Sequence, residues 1–140
     1  MITDKKNKIN KIIVKHIKKI LIPAFYTTNL ILIMFYLYPG SIFGCFLYND
    51  CYIQPQITRD FIISSNHLYA FVILSTLGII AYQDTRKIKI VTIYLFLLSI
   101  ILELAHIAIP SREFEWTDLF GNIAGVVFVI IIYKIKNKYV

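Results

Sequence analysis

The sequence predicts an all-α polytopic membrane protein: a four-helix transmembrane bundle with both termini in the cytoplasm. Three observations predict it. Hydrophobic residues make up 58% of the chain and charged residues 16%, against roughly 45–50% and about 25% in soluble domains. The apolar residues gather into four runs of a length suited to crossing a hydrocarbon core of about 30 Å as helices. The basic residues lie between these runs with a strong bias. Of the 15 Lys and Arg, all but Arg59 and Arg112 fall in the N-terminal tail, the connection between runs two and three, or the C-terminal tail, and this bias places those segments in the cytoplasm.

The 140 residues contain no linker-like tract and no internal repeat, so one bundle is expected. Residues 1–19 form a basic juxtamembrane segment and residues 20–140 a single four-helix domain. The segment carries Lys5, Lys6, Lys8, Lys11, Lys15, Lys18 and Lys19 with isoleucines between them. It reads either as an amphipathic helix on the membrane surface or as a solvated tail that fixes orientation.

Ile20 to Tyr38 is the first span, about 28 Å long as a helix. No small-x-small cleavage site follows it, so an uncleaved anchor is expected, and Pro23 is placed in its first turn, where a missing amide hydrogen costs little. Pro39 and Gly40 end it. The loop to Asp60 lacks lysine and holds Cys45 and Cys51, the only two cysteines. On the derived topology both lie outside, where they could pair as a disulfide; two unpaired thiols near the interface fit the sequence equally.

Phe61 to Tyr82 is the second span, with Ser64, Ser65, Asn66 and His67 near its outer end. After a basic turn, Ile88 to Ile109 is the third, interrupted by Glu103 and His106 and closed by Pro110. The loop Ser111 to Trp116 is short enough to require an antiparallel neighbour. Thr117 to Tyr133 is the fourth, followed by Lys134, Lys136 and Lys138. Its apolar part, Leu119 to Tyr133, covers only about 22 Å, so either its start lies below the headgroups or the bilayer thins there.

The net charge of +7 does not indicate a nucleic-acid partner, because the basic residues form short clusters rather than one concentrated face. Such clusters meet anionic headgroups, so the expected partner is membrane lipid in a cell membrane.

An ionisable residue inside a span costs about 2.5 kcal/mol or more, so it needs a partner or a role. Glu103 and His106 are three residues apart on one helical face. Asp118 and Asn122 share a face of the fourth span with Gly125, and Gly121, Ala124 and Gly125 allow close helix approach. On the derived topology His67, Glu103, His106, Arg112, Asp118 and Asn122 all fall in one outer layer, which makes them the candidate ligand-binding residues. Plainer roles exist for each. Asn122 can hold helices together, Arg112 can form a loop ion pair with Glu113, Glu115 or Asp118, and Glu103 can be a structural carboxylate served by His106 or Arg112.

Glu-x-x-His matches half of a di-iron helical motif, but it occurs once, where such bundles repeat it. His67, His106, Glu103 and Asp118 could at most form one mononuclear site, so neither metal nor cofactor is assigned. The sequence has no Walker loop, nucleophile elbow or His-Glu-x-x-His.

Glu103-Leu-Ala-His106, then Ile109-Pro110-Ser-Arg112, then Asp118-Leu-Phe-Gly-Asn122-Ile-Ala-Gly125 resemble the C-terminal signature of the VanZ-like family, a group of teicoplanin-resistance-type membrane proteins. That signature is a Glu-x-x-Gln helix end, a Pro-x-Arg loop and an Asp-x-x-x-Asn-x-x-Gly helix start. His67-Leu-Tyr-Ala-Phe71 is similar to an earlier His-x-x-x-Phe/Tyr element. His106 stands where the family usually has Gln, Val129 replaces a glycine, and Ile63-Ser64 replace a charged Asp-Lys pair. The resemblance implies envelope and glycopeptide connections.

The expected function is therefore binding of an envelope component, a lipid headgroup or cell-wall precursor, at the outer cluster. Arg112 would meet an anionic group and His67 and Asn122 would make polar contacts. The alternatives are an enzyme acting on a headgroup, with His67 or Glu103 as general base, and a small subunit of a membrane complex.

Overall fold

The computed structural model describes residues 2–139, with side chains from residue 16 onward. The basic side chains from Lys5 to Lys15 lie outside the described residues. The chain is all-helical: α1 (Ile2–Leu37), the short α2 (Ile42–Tyr48), α3 (Ser65–Tyr82), α4 (Ile88–Ala105, extended by a 3-10 turn over His106–Ala108) and α5 (Trp116–Tyr139). Four of these are long and apolar enough to cross a membrane, over His16–Leu37, Ser65–Tyr82, Ile88–Ala108 and Trp116–Tyr139.

Within the spans, large apolar side chains face outward as well as inward, which is the pattern of a chain whose solvent is lipid. On α4, Val91, Leu95, Leu98 and Leu102 are buried, while Ile90, Ile93, Leu97, Ile101 and Leu104 face outward. This is a multi-pass membrane protein. With Phe25 and Leu32 of α1, Phe71 and Leu74 of α3 and Val126 of α5, the buried α4 residues form one core.

α3 packs against α1, α4 and, most extensively, α5. Glycine makes the last contact close. A Cβ on Gly121 would stand 2.7 Å from the Ser64 carbonyl oxygen, and one on Gly125 2.7 Å from that of Leu68. The two ends of the bundle differ. One, here the loop end, carries the α1–α3 and α4–α5 connections. The other carries the α3–α4 turn, where Lys18 of α1 pairs with Asp84 at 3.0 Å.

Several boundaries differ from the sequence-based expectation. The fourth span does not stop at Tyr133; α5 continues to Tyr139 through Lys134, Lys136 and Lys138. Hydropathy ends there, but no Gly or Pro ends the helix, and lysine is a good helix former whose stem can lie along lipid. As a helix, α5 is about 36 Å long. The backbone of residues 2–19 likewise continues into the first span without a break, so Pro23 lies inside a helix rather than in its first turn. The second span begins at Ser65 rather than Phe61: Asp60 Oδ1 accepts from the Ser65 amide at 2.7 Å, and Ser64 is extended at the N-cap.

The α1–α3 connection is ordered by local chemistry. Gly40 takes φ 89, and a side chain there would strike the Cys51 carbonyl. Ser41 caps α2 by accepting from the Gly44 amide at 3.0 Å. Cys45 and Cys51 are joined as a disulfide. Asn66 of α3 holds the loop from above, donating to the Pro55 carbonyl at 2.7 Å and accepting from the Ile57 amide at 2.9 Å.

Candidate functional site

At the loop end the residue types least suited to a membrane converge. His67 comes from the first turn of α3, Glu103 from the last turn of α4, His106 from the 3-10 turn, and Asp118 and Asn122 from the start of α5. Glu103 and Asn122 are fully buried, and His106 nearly so. Glu103 Oε1 lies 3.2 Å from His106 Nδ1 and accepts from the Glu115 amide at 3.1 Å. His67 Nδ1 lies 3.7 Å from Glu103 Oε2, and its Nε2 lies 3.3 Å from Asp118 Oδ2.

The residue that ties these together is Tyr36 of α1, which the sequence analysis passed over. Its hydroxyl donates to Asn122 Oδ1 at 2.5 Å and lies 3.1 Å from His67 Nδ1. Its ring stacks on His106, with centroids 5.6 Å apart, and its carbonyl lies 3.2 Å from His106 Nε2. Thus α1 also builds the site. The available signal was a phenolic hydroxyl in the last turn of the span, on the helical face of the buried Phe25 and Leu32.

These contacts fix proton positions. Asn122 Nδ2 donates to the Ser99 carbonyl at 3.2 Å, and a carbonyl can only accept, so Oδ1 must face Tyr36. Tyr36 then spends its single proton on Asn122 and accepts from His67 Nδ1. In a neutral His67, Nε2 is left with a lone pair directed at Asp118. For His106, Nε2 must donate to the Tyr36 carbonyl, and Nδ1 faces Glu103 Oε1. His67 Nδ1 and His106 Nε2 are thus held as donors to Tyr36, while His67 Nε2 and His106 Nδ1 face the carboxylates of Asp118 and Glu103.

Arg112 stands apart from this network. Nη2 donates to the Phe35 carbonyl at 2.9 Å and Nε to that of Tyr38 at 3.3 Å, so the guanidinium closes the C-terminal turn of α1, whose carbonyls have no helical partners. Among the described residues no ion pair joins Arg112 to Glu113, Glu115 or Asp118. Partial burial lowers its pKa from the usual value, with Asp118 and Glu103 acting in the opposite sense; it remains a cation. Cys45 and Cys51 lie outside the cluster, in the α1–α3 connection.

Two cavities border the cluster. One of about 260 Å³ is walled by Phe35, Phe43, Pro55, Ile57, Ala70 and Ile73. The other, about 360 Å³, is walled by polar groups including Ser111, Glu113, Glu115 and Asp118. Gln54, His106 and Arg112 line both, so the apolar and polar spaces adjoin.

No family model matches this chain, nor does any curated protein or solved structure. The site therefore has to be read from its own geometry.

Asn122 also serves packing, since Gly121 and Gly125 on either side seat α3. It holds α1 and α4 together through Tyr36 and Ser99.

Proposed function

We propose that the loop end faces the outside of the cell membrane and binds an amphiphilic envelope component, its apolar part in the 260 Å³ cavity and its anionic head at Arg112. The observation that carries this is the junction of an apolar with a polar cavity along Gln54, His106 and Arg112. Such a pair suits a molecule with a greasy and a charged end, such as a lipid headgroup with its chain or a lipid-linked cell-wall precursor. Two of Arg112's five donors are spent on α1, and the remainder can meet an acidic group. The disulfide supports an oxidising environment for this end, and the cytoplasmic placement of both termini rests on the distribution of Lys and Arg. The resemblance to the VanZ-like family supports an envelope role, in which the chain would lower susceptibility to lipophilic glycopeptides.

Binding is favoured over catalysis because the adjoining apolar and polar cavities suit an amphiphile, while His67 Nδ1 and His106 Nε2 are both committed as donors to Tyr36. The test is native mass spectrometry of the detergent-purified chain. An acidic amphiphile should remain bound in the wild type and be lost in Ala70→Trp, which fills the apolar cavity. Arg112→Gln should retain lipid but lose the preference for acidic over zwitterionic heads. Equal lipid retention, without headgroup preference, in all three proteins would reject the proposal.

A further inference from the structure

The geometry points to a second ligand at the same end of the bundle: a first-row divalent cation held by His67, Glu103 and Asp118. Among the described residues these three alone bring one imidazole nitrogen and two carboxylate oxygens within 4.8 Å of one another. The inference does not rest on amphiphile binding, since none of the three ligand atoms is needed for that reading.

The proton positions lead to it. The Ser99 carbonyl orients Asn122, Asn122 takes the Tyr36 proton, and Tyr36 accepts from His67 Nδ1. A neutral His67 then presents the Nε2 lone pair to Asp118 Oδ2 at 3.3 Å. Two lone pairs at that distance repel unless something positive lies between them. Two ligands each about 2.1 Å from a shared ion stand about 3.4 Å apart at the tetrahedral angle, so the observed spacing suits a bound cation. Metal-ligating histidines characteristically donate their other ring N–H to a fixed acceptor, which is the part Tyr36 plays.

A second observation is independent of that chain. Glu103 is wholly buried, and its Oε2 has no hydrogen-bond partner although it lies on the His67 side of the carboxylate, 3.7 Å from Nδ1. A buried carboxylate oxygen without a donor is costly. One dication would serve this oxygen and offset the charges of Glu103 and Asp118 together. Asp118 also lines the polar cavity, which gives the ion a way in and leaves coordination positions for water or for an anionic group. One imidazole with two carboxylates suits Zn²⁺ or Mn²⁺ better than Cu⁺, which prefers sulfur; the only two thiols are locked in the disulfide.

The competing occupant of the His67–Asp118 gap is a proton, and the experiment separates the two. The full chain in detergent is stripped with chelator, dialysed against Zn²⁺, and assayed for bound metal by mass spectrometry of the eluate. One Zn²⁺ per chain is expected, with affinity reduced about tenfold or more in Tyr36→Phe, which removes the hydroxyl that orients His67 but none of the three ligands, and stoichiometric binding abolished in Asp118→Asn. Wild type that binds no metal would overturn the inference, as would binding unchanged in both variants. Should the variants fail to fold, X-ray absorption of the Co²⁺-loaded wild type decides: nitrogen and oxygen scatterers with an imidazole signature support the site, and sulfur scatterers or a fully hydrated ion overturn it. Ala70→Trp should keep the metal and lose the lipid, so either proposal can fail without the other.

Discussion

Tyr36→Phe removes one oxygen atom and tests the central contact of the bundle. The hydroxyl donates to Asn122 Oδ1 at 2.5 Å and accepts from His67 Nδ1 at 3.1 Å. Tyr36 is 7% exposed, His67 8% and Asn122 0%, so water cannot readily replace the lost partner. The substitution leaves one buried acceptor and one buried donor unpaired, at about 1–3 kcal/mol each, for an expected loss of about 2–6 kcal/mol. Tyr26→Phe is the matched control. Its hydroxyl meets only the Tyr82 hydroxyl, at 3.0 Å, in a part-buried position, and should cost about 0.5–1.5 kcal/mol. The assay is equilibrium unfolding of the purified protein in mixed micelles, followed by far-ultraviolet circular dichroism. A Tyr36→Phe, Asn122→Ala double-mutant cycle should give a coupling of about 0.5–3 kcal/mol. If Tyr36→Phe costs no more than Tyr26→Phe, and the cycle is additive, the hydroxyl does not bridge α1, α3 and α5.

The glycine contacts give a paired test in the same assay. Gly125→Ala places a Cβ 2.7 Å from a backbone oxygen and 3.0 Å from a backbone nitrogen of α3, whereas the atoms nearest Gly78 belong to the Phe25 and Val91 side chains. Separating two helices is the harder adjustment, so Gly125→Ala should cost about 1–3 kcal/mol and Gly78→Ala less; the reverse order would contradict the α3–α5 packing. Orientation is tested by a reporter active only in the cytoplasm, which should work when inserted near Lys87 or fused after Lys138 and fail near Asn49. Activity near Asn49 would invert the proposed placement of the cavities.

The four spans were legible because hydropathy and helix length are properties of contiguous sequence, and α4 with its two apolar faces is the clearest instance. The ends were less legible. Lys134 to Lys138 stop an apolar run without stopping a helix, and Asp60 sets the start of α3 by a side-chain bond that hydropathy does not register. Within the cluster, Glu103 with His106 and Asp118 with Asn122 could be paired on helical faces because each pair lies on one helix. Their union across α3, α4 and α5 followed from placing all of them at one end of a bundle. Tyr36 could not be found that way. Its part depends on which face of α1 turns toward α3, which is a matter of packing. Arg112 was placed in the right layer, but its engagement with the Phe35 and Tyr38 carbonyls depends on how closely the α4–α5 connection approaches α1.

The gathering of the buried His67, Glu103 and His106 at one end has a structural cause. At the loop end all four long helices terminate: α1 at Leu37, α4 at Ala105, and α3 and α5 begin at Ser65 and Trp116. Each terminus leaves backbone groups without helical partners, and the buried ionisable residues meet several of them. Glu103 takes the Glu115 amide just ahead of α5, while Arg112 takes the last carbonyls of α1 and His106 that of Tyr36. A charged side chain at this depth is therefore offset in part by backbone groups that would themselves be costly to leave in an apolar layer. At the opposite end α1 and α5 run on as helices, through Lys18 and Lys19 on one and Lys134 to Lys138 on the other. Their backbones stay internally paired, and fewer unpaired groups remain there to hold a buried carboxylate. A glutamate moved to the equivalent depth near Tyr82 would lack a comparable set of donors, so the loop end is where this fold can hold a charged site.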